Sequence, residues 1–203
     1  MVPVVRAPSA DTARAAVDAV GEGGIPVVEI TMTVPGAVGV IEQVRARFDG
    51  YAVVGAGTVL DAETARACIE AGAEFVVSPV LDLETIALCR ELNVVVIPGA
   101  LTPNEIYAAW KAGADLVKVF PCDSAGGAKH IRSVRAPLPQ IPLLPTGGVT
   151  LETAADYFAA GATAVGVGSD LVDVKALREG HASLVVEKAR MFAEIVRQAR
   201  QPS

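Results

Sequence analysis

Four short runs in this chain begin alike: Gly24-Ile-Pro-Val-Val-Glu29, Gly72-Ala-Glu-Phe-Val-Val77, Gly113-Ala-Asp-Leu-Val-Lys118 and Gly161-Ala-Thr-Ala-Val-Gly166. In each, a glycine suited to ending a helix precedes an apolar run suited to a strand. The intervals hold further Val- and Ile-rich runs alternating with Ala-rich helical segments, which is the pattern of repeated βα units around a parallel sheet. Eight strands are expected, over residues 2–6, 25–31, 52–55, 75–78, 94–98, 116–120, 143–145 and 164–167. The four glycine runs supply the second, fourth, sixth and eighth of these.

Helix starts can be read between the strands. Thr102-Pro103-Asn104-Glu105 is a capping box with proline at the first helical position, and Ser9 or Asp11, Asp61, Asp82 and Thr150 are N-cap candidates elsewhere. With 203 residues, 52% of them hydrophobic, the chain is expected to form one domain over residues 1–203. Eight such units can make an open doubly wound sheet or a closed (β/α)8 TIM barrel. The repeat every two units favours closure, unless the four glycines mark unrelated turns. In a barrel, alternate strands share an interior layer, so Glu29, Val77, Lys118 and Gly166 are expected at one height.

That layer holds two charged groups in apolar strands. A buried ammonium is costly, and loss of its proton leaves an amine able to attack a carbonyl. Lys118, within Asp115-Leu-Val-Lys-Val-Phe-Pro121, is therefore either a Schiff-base nucleophile or a lysine that snorkels to the strand end or pairs with a carboxylate. Glu29 is either the proton-transfer group such a nucleophile needs or one half of a structural ion pair.

Two glycine loops bear on the choice. Pro145-Thr146-Gly147-Gly148 follows the seventh strand, and Gly166-Val167-Gly168-Ser169 ends the eighth ahead of a possible short helix. Loops at those positions are the usual phosphate cradle of a TIM barrel, although tight βα turns also need glycine. Gly55-Ala56-Gly57-Thr58, after the third strand, can bring backbone and a hydroxyl to a ligand on the same rim. Arg6, at the end of the first strand, can grip a carboxylate there or be an ordinary surface residue.

Other classes of function lose support. A net charge of −6 argues against a nucleic-acid surface, so an anionic ligand needs local groups to hold it. His130 and His181 lie in helical segments away from any carboxylate cluster, which disfavours a histidine metal site. No run approaches the ~18 apolar residues of a membrane span, and Cys68, Cys89 and Cys122 lack metal-type spacing and suit reduced thiols. A cytoplasmic protein without membrane or nucleic-acid partners is expected.

Taken in order, Val28-Glu29-Ile30-Thr31, Gly55-Ala56-Gly57-Thr58-Val59, Ser78-Pro79, Ile97-Pro98-Gly99, Lys118-Val119-Phe120-Pro121, Pro145-Thr146-Gly147-Gly148 and Gly166-Val167-Gly168-Ser169 resemble the motifs of the bacterial 2-keto-3-deoxy-6-phosphogluconate (KDPG) and 4-hydroxy-2-oxoglutarate (KHG) aldolases. The resemblance covers nearly the whole chain. It implies a class I aldolase with Lys118 as the Schiff-base lysine and Glu29 as the proton carrier. It further implies Thr58 and Thr146 at the substrate, Pro79 and Phe120 lining the pocket, and phosphate at Gly147, Gly148, Gly168 and Ser169. A homotrimer with no metal and no cofactor, acting on a small phosphorylated keto acid, completes what it implies.

The sequence departs from the family pattern in two places. Thr33 stands where many members have an arginine that binds the substrate carboxylate, which leaves Arg6 as the candidate for that role. The first strand also begins without the extra helix that members often place before it. Within the class, the galactonate epimer and hydroxyoxoglutarate remain alternative substrates. Outside it, a phosphate-binding barrel isomerase or synthase shares the glycine loops without needing Lys118, and a non-catalytic oligomeric scaffold could carry the site as an inheritance.

Overall fold

The computed structural model describes residues 1–48 and 52–200. The strands are β1 (Val2–Val5), β2 (Val27–Thr31), β3 (Val53–Gly57), β4 (Phe75–Val77), β5 (Val95–Ile97), β6 (Gly99–Ala100), β7 (Val117–Val119), β8 (Leu143–Pro145) and β9 (Gly166–Val167). All pairings are parallel. They run β5-β4-β3-β2-β1-β9 in one sheet and β6-β7-β8 in another.

Two junctions join these sheets into a closed (β/α)8 barrel. β5 and β6 are one stave interrupted by Pro98, which lacks an N–H for the ladder but whose carbonyl accepts from Lys118 N at 2.9 Å. On the other side, Thr146, next after β8, bridges Gly166 at the start of β9. The eight expected strands are thus all present, and the four repeat glycines, Gly24, Gly72, Gly113 and Gly161, all take positive φ, as helix-ending residues do.

Alternation along the strands sorts the core into two parts. Val5, Val28, Ile30, Val54, Val76, Val96, Val117 and Val167 face the helices and belong to the main apolar core. The barrel interior holds a smaller cluster, Val2, Phe75, Val77, Ile97 and Leu144. Phe75 fills that interior because Gly55 opposite it has no side chain; a Cβ there would overlap the ring.

The outer helices present apolar stripes to the sheet. In α1 (Ala10–Glu22) the buried residues Ala13, Ala16, Val17 and Val20 fall at helical spacing, and Ser9 caps the N-terminus by accepting from Thr12 N. Asp11 sits inside that helix. Asp61 and Asp82 cap α3 (Ala62–Glu70) and α4 (Leu83–Glu91), and the Thr102–Glu105 capping box opens α5 (Pro103–Lys111). Thr150 differs from expectation: residues 151–153 form turns first, and α7 (Ala154–Ala159) starts after Thr153, with no side-chain cap. The final helix, α9 (Ala182–Ala199), buries Val185, Val186, Ala189 and Phe192. Ala189 lies so close to Gly23 that a Cβ on that glycine would overlap it, which seats α9 tightly against the end of α1.

Candidate active site

A cavity of about 700 Å³ opens at the C-terminal ends of the strands. Lys118 reaches it from the middle of β7 and is only 5% exposed. Its Nζ stands 5.3 Å from the centre of the Phe120 ring, whose face also lines the cavity, so the amine is flanked by an aromatic wall. Pro79, from the turn after β4, and Thr58, from the turn after β3, are further lining residues. Thr58 takes φ 57°, a conformation costly for a β-branched residue and one that recurs at ligand sites.

Glu29 lies beneath the lining. It is 1% exposed, and Oε1 has no hydrogen-bond partner among the described residues. Its carboxyl occupies the space that a Cβ on Gly57 would take. The two glycines of Gly55-Ala56-Gly57 therefore serve the interior, making room for Phe75 and Glu29, and Thr58 is the member of that motif that lines the cavity. Burial pushes the Glu29 carboxyl above the ordinary glutamate range, while the charges of Lys118 and then Arg6 pull it partway back. The carboxyl and the two cations thus sense one another across the interior.

Arg6, the first residue beyond β1, lines the same cavity with an exposed side chain. Its place is braced from β2. Thr31 Oγ1 donates to the Val5 carbonyl at 3.0 Å, and Thr33, itself exposed, bonds to Thr31 Oγ1 at 2.7 Å. Thr33 is thereby part of a hydroxyl chain that ties the ends of the two strands.

The opposite side of the cavity is built by loops. Thr146, Gly147 and Gly148 follow β8, and Gly168 and Ser169 follow β9. Thr146 is 7% exposed, and its Oγ1 has no partner among the described residues; it fills the space left open by Gly166. Gly147 and Gly148 have φ of 94° and 68°, and a Cβ on Gly148 would overlap Asp123, so side chains are excluded there twice over. From behind, Tyr157 donates to the Gly147 carbonyl at 3.4 Å and Thr153 to the Gly148 carbonyl at 2.9 Å. Among the described residues, the N–H groups of Gly147, Gly148 and Ser169 have no intramolecular acceptor. Such N–H groups on fixed loops suit an anionic ligand.

The helix expected after the eighth strand is α8 (Val174–Arg178), which begins only after a turn over residues 169–171 and is capped by its own Asp173. Asp170 and Asp173 line the cavity, as does Lys188 from α9. None of these three stands out in the sequence. Asp170 only ends the glycine loop 166–170, Asp173 and Lys188 belong to no motif, and only the apolar stripe of α9, which leaves residue 188 at its edge, hints at where Lys188 points. His130 is structural, with Nε2 2.9 Å from the Leu101 carbonyl, and His181 sits at the start of α9. The three cysteines are free and buried, and burial raises each thiol to about 11. No helix among the described residues is long and apolar enough to cross a membrane.

Comparison with known proteins bears on this geometry. Residues 1–187 match the aldolase family described as KDPG and KHG aldolase. The 2-dehydro-3-deoxy-phosphogluconate aldolase of Haemophilus influenzae is 32% identical over 197 residues, covering 97% of this chain and 92% of that protein. The 2-dehydro-3-deoxy-6-phosphogalactonate aldolase of Escherichia coli is 33% identical over 203 residues, covering 99% and 96%. Among solved structures, KDPG aldolase from Legionella pneumophila, with pyruvate captured as a covalent carbinolamine, superposes with a TM-score of 0.87 at 28% identity, covering 93% of this chain and 91% of that one.

Proposed function

Because the chain belongs to the KDPG and KHG aldolase family, we propose that it is a class I aldolase cleaving 2-keto-3-deoxy-6-phosphogluconate to pyruvate and glyceraldehyde 3-phosphate. The observation that carries this reading is a buried lysine amine that lines a cavity from a barrel strand, with a buried glutamate whose Oε1 has no partner among the described residues and which feels the lysine's charge.

In the proposed reaction, Lys118 Nζ adds to the C2 ketone, and the carbinolamine loses water to become an imine. Glu29 supplies and recovers the protons of these steps. The protonated imine then accepts the electron pair of the C3–C4 bond. The C4 hydroxyl gives up its proton as it becomes the aldehyde carbonyl, leaving an enamine on Lys118. Protonation at C3 and hydrolysis of the imine release pyruvate. A carboxyl whose pKa burial raises above the ordinary glutamate range keeps its proton more readily, which suits a group that must both give and take one.

The same reading gives Arg6 the substrate carboxylate, Phe120, Pro79, Thr58 and Thr146 the carbon chain, and Gly147, Gly148, Gly168 and Ser169 the phosphate. The unpartnered Thr146 hydroxyl favours a substrate that offers hydroxyls along its chain. A homotrimer in the cytoplasm belongs to this reading too. Support for the assembly, though not for the location, comes from the large exposed apolar side chains Leu60, Val80 and Leu83 in the segments after adjacent strands β3 and β4.

The deciding experiment is borohydride reduction in the presence of pyruvate, followed by peptide mass mapping. The expected product is Lys118 carrying a reduced pyruvyl adduct. Modification of a different lysine, or none while the protein turns over, overturns the mechanism.

A further inference from the structure

The loop side of the cavity has an electrostatic problem that its backbone N–H groups do not solve alone. The substrate of the proposed reaction carries a phosphoryl dianion, yet Asp170 and Asp173 line that side and Asp123 packs behind Gly147 and Gly148. Asp170 Oδ2 is buried without a partner among the described residues. The chain as a whole is anionic at −6, so its distant field is also unfavourable. A cation is needed locally.

Three cationic side chains line the cavity: Arg6, Lys118 and Lys188. The first two rise from the barrel strands. Lys188 alone comes from an outer helix, and its Nζ donates to the Asp170 carbonyl at 2.6 Å, which fixes it against the loop that carries Gly168 and Ser169. It lines the same cavity as Gly147 and Gly148 of the loop after β8. Glu152 is held below the ordinary glutamate range first by a hydrogen bond from Thr150, and the Lys188 charge is among the further causes. An ammonium has three donors, and the Asp170 carbonyl takes one. The tight seating of α9 on α1 through Ala189, the next residue, holds the stem in place.

We propose that Lys188 is a specificity-determining residue of this aldolase: its ammonium, held against the loop after β9 in the cavity that both glycine loops line, pairs with the phosphoryl group and makes the enzyme prefer phosphorylated over non-phosphorylated aldols. The inference rests on the aldolase reading above and adds to it a residue outside the sequence motifs. Backbone N–H groups orient the oxygens; the lysine supplies the countercharge against the neighbouring carboxylates. The competing role is a tether that only holds the Asp170 loop, and charge separates the two. Lys188→Gln can still donate to the carbonyl, whereas Lys188→Arg keeps charge and donor together.

The test uses the full-length chain, with inorganic phosphate binding followed by calorimetry and kcat/KM measured for the phosphorylated substrate and for 4-hydroxy-2-oxoglutarate. Lys188→Gln is expected to weaken phosphate binding about 10-fold or more, the scale of a lost charge-assisted hydrogen bond, and to lower the phosphorylated-to-unphosphorylated preference by a similar factor. Lys188→Arg should retain most of both. Phosphate affinity equal to wild type in Lys188→Gln, or equal losses for the two substrates, overturns the proposal in favour of a tether. Absence of phosphate binding in the wild type also overturns it. Pyruvate trapping on Lys118 in the wild type is read separately, so failure of the aldolase reading and failure of the Lys188 role give different results.

Discussion

The two sides of the cavity are made differently. On one, Lys118 and Glu29 project from the middle of strands into the barrel, nearly or wholly buried and held by the ladder on both sides. On the other, Gly147, Gly148, Gly168 and Ser169 sit in turns beyond the strands, half-buried or exposed, and are steadied by side chains behind them. The strand side concentrates unsatisfied charge in a low-dielectric place, which suits bond making and proton transfer. The loop side offers many weak donors near solvent, which suits holding a group that does not react. Remote binding of that kind orients the reacting carbon.

The sharpest way to break this division is to remove the amine. Lys118→Ala is expected to lower kcat by on the order of 10⁴-fold or more, the scale for loss of a covalent nucleophile. It should also abolish borohydride trapping with pyruvate while preserving the fold, which circular dichroism can check. Substantial residual turnover would move the chemistry off the strand side altogether.

Glu29→Gln comes next. Loss of proton transfer predicts a fall in kcat of ~10² to 10⁴-fold. Stability should move the other way. The folded-state pKa of Glu29 is raised, so the native protein holds that proton more tightly than the unfolded chain does. The stability associated with it is present below the unfolded value of about 4.3 and is lost as pH rises through the folded pKa. The glutamine variant carries no such loss, so its Tm relative to wild type should climb with pH across that window. A Tm difference that stays flat with pH would show that Glu29 is ionised at little cost, and the proton-carrier role would need another basis.

The same asymmetry governs how much of the molecule is legible in its sequence. A charged side chain in an apolar run has few explanations, so the strand residues stand out, and the glycine repeat places Glu29 and Lys118 on alternate staves. The barrel follows from the same repeat. Loop residues are recognisable only where glycine makes them so, as at Gly147 and Gly148. Lys188 is out of reach because it arrives from a helix that follows the last strand, and its meaning depends on how α9 packs against α1. The roles of Gly55 and Gly57 are hidden for a related reason: they make room for side chains on β4 and β2, and pairing between strands is not visible along one of them. Pro98, where the sequence places the end of the fifth strand, instead interrupts a stave that continues through Gly99 and Ala100.

Arg6 lies between the two sides, at a strand end and exposed, and its substitution tests whether the rim acts on the chemistry. Arg6→Ala should raise KM for the sugar acid and weaken pyruvate trapping by ~10- to 100-fold, the range of a charge-assisted contact to a carboxylate. Because Thr33 stands in the turn just beyond the neighbouring stave, joined through Thr31 to the Val5 carbonyl, a guanidinium introduced there could reach the same rim. Arg6→Ala combined with Thr33→Arg should therefore recover part of the pyruvate affinity. Unchanged KM in the single variant would leave Arg6 a bystander and pass the carboxylate to Thr58 and backbone groups.

The smallest effect is expected at Ser169. Its side chain is exposed on the turn after β9, and removing one neutral hydroxyl from the proposed phosphate cradle is expected to cost roughly 1 kcal/mol, about 5-fold in affinity. The backbone N–H of residue 169 survives the change, so Ser169→Ala should raise KM for phosphorylated substrates by that modest factor. Pyruvate trapping on Lys118 is the control, since pyruvate carries no phosphate. A variant that loses trapping as well would mean that the loops transmit strain to the strands, and the separation of binding from chemistry would fail at the place where it is easiest to measure.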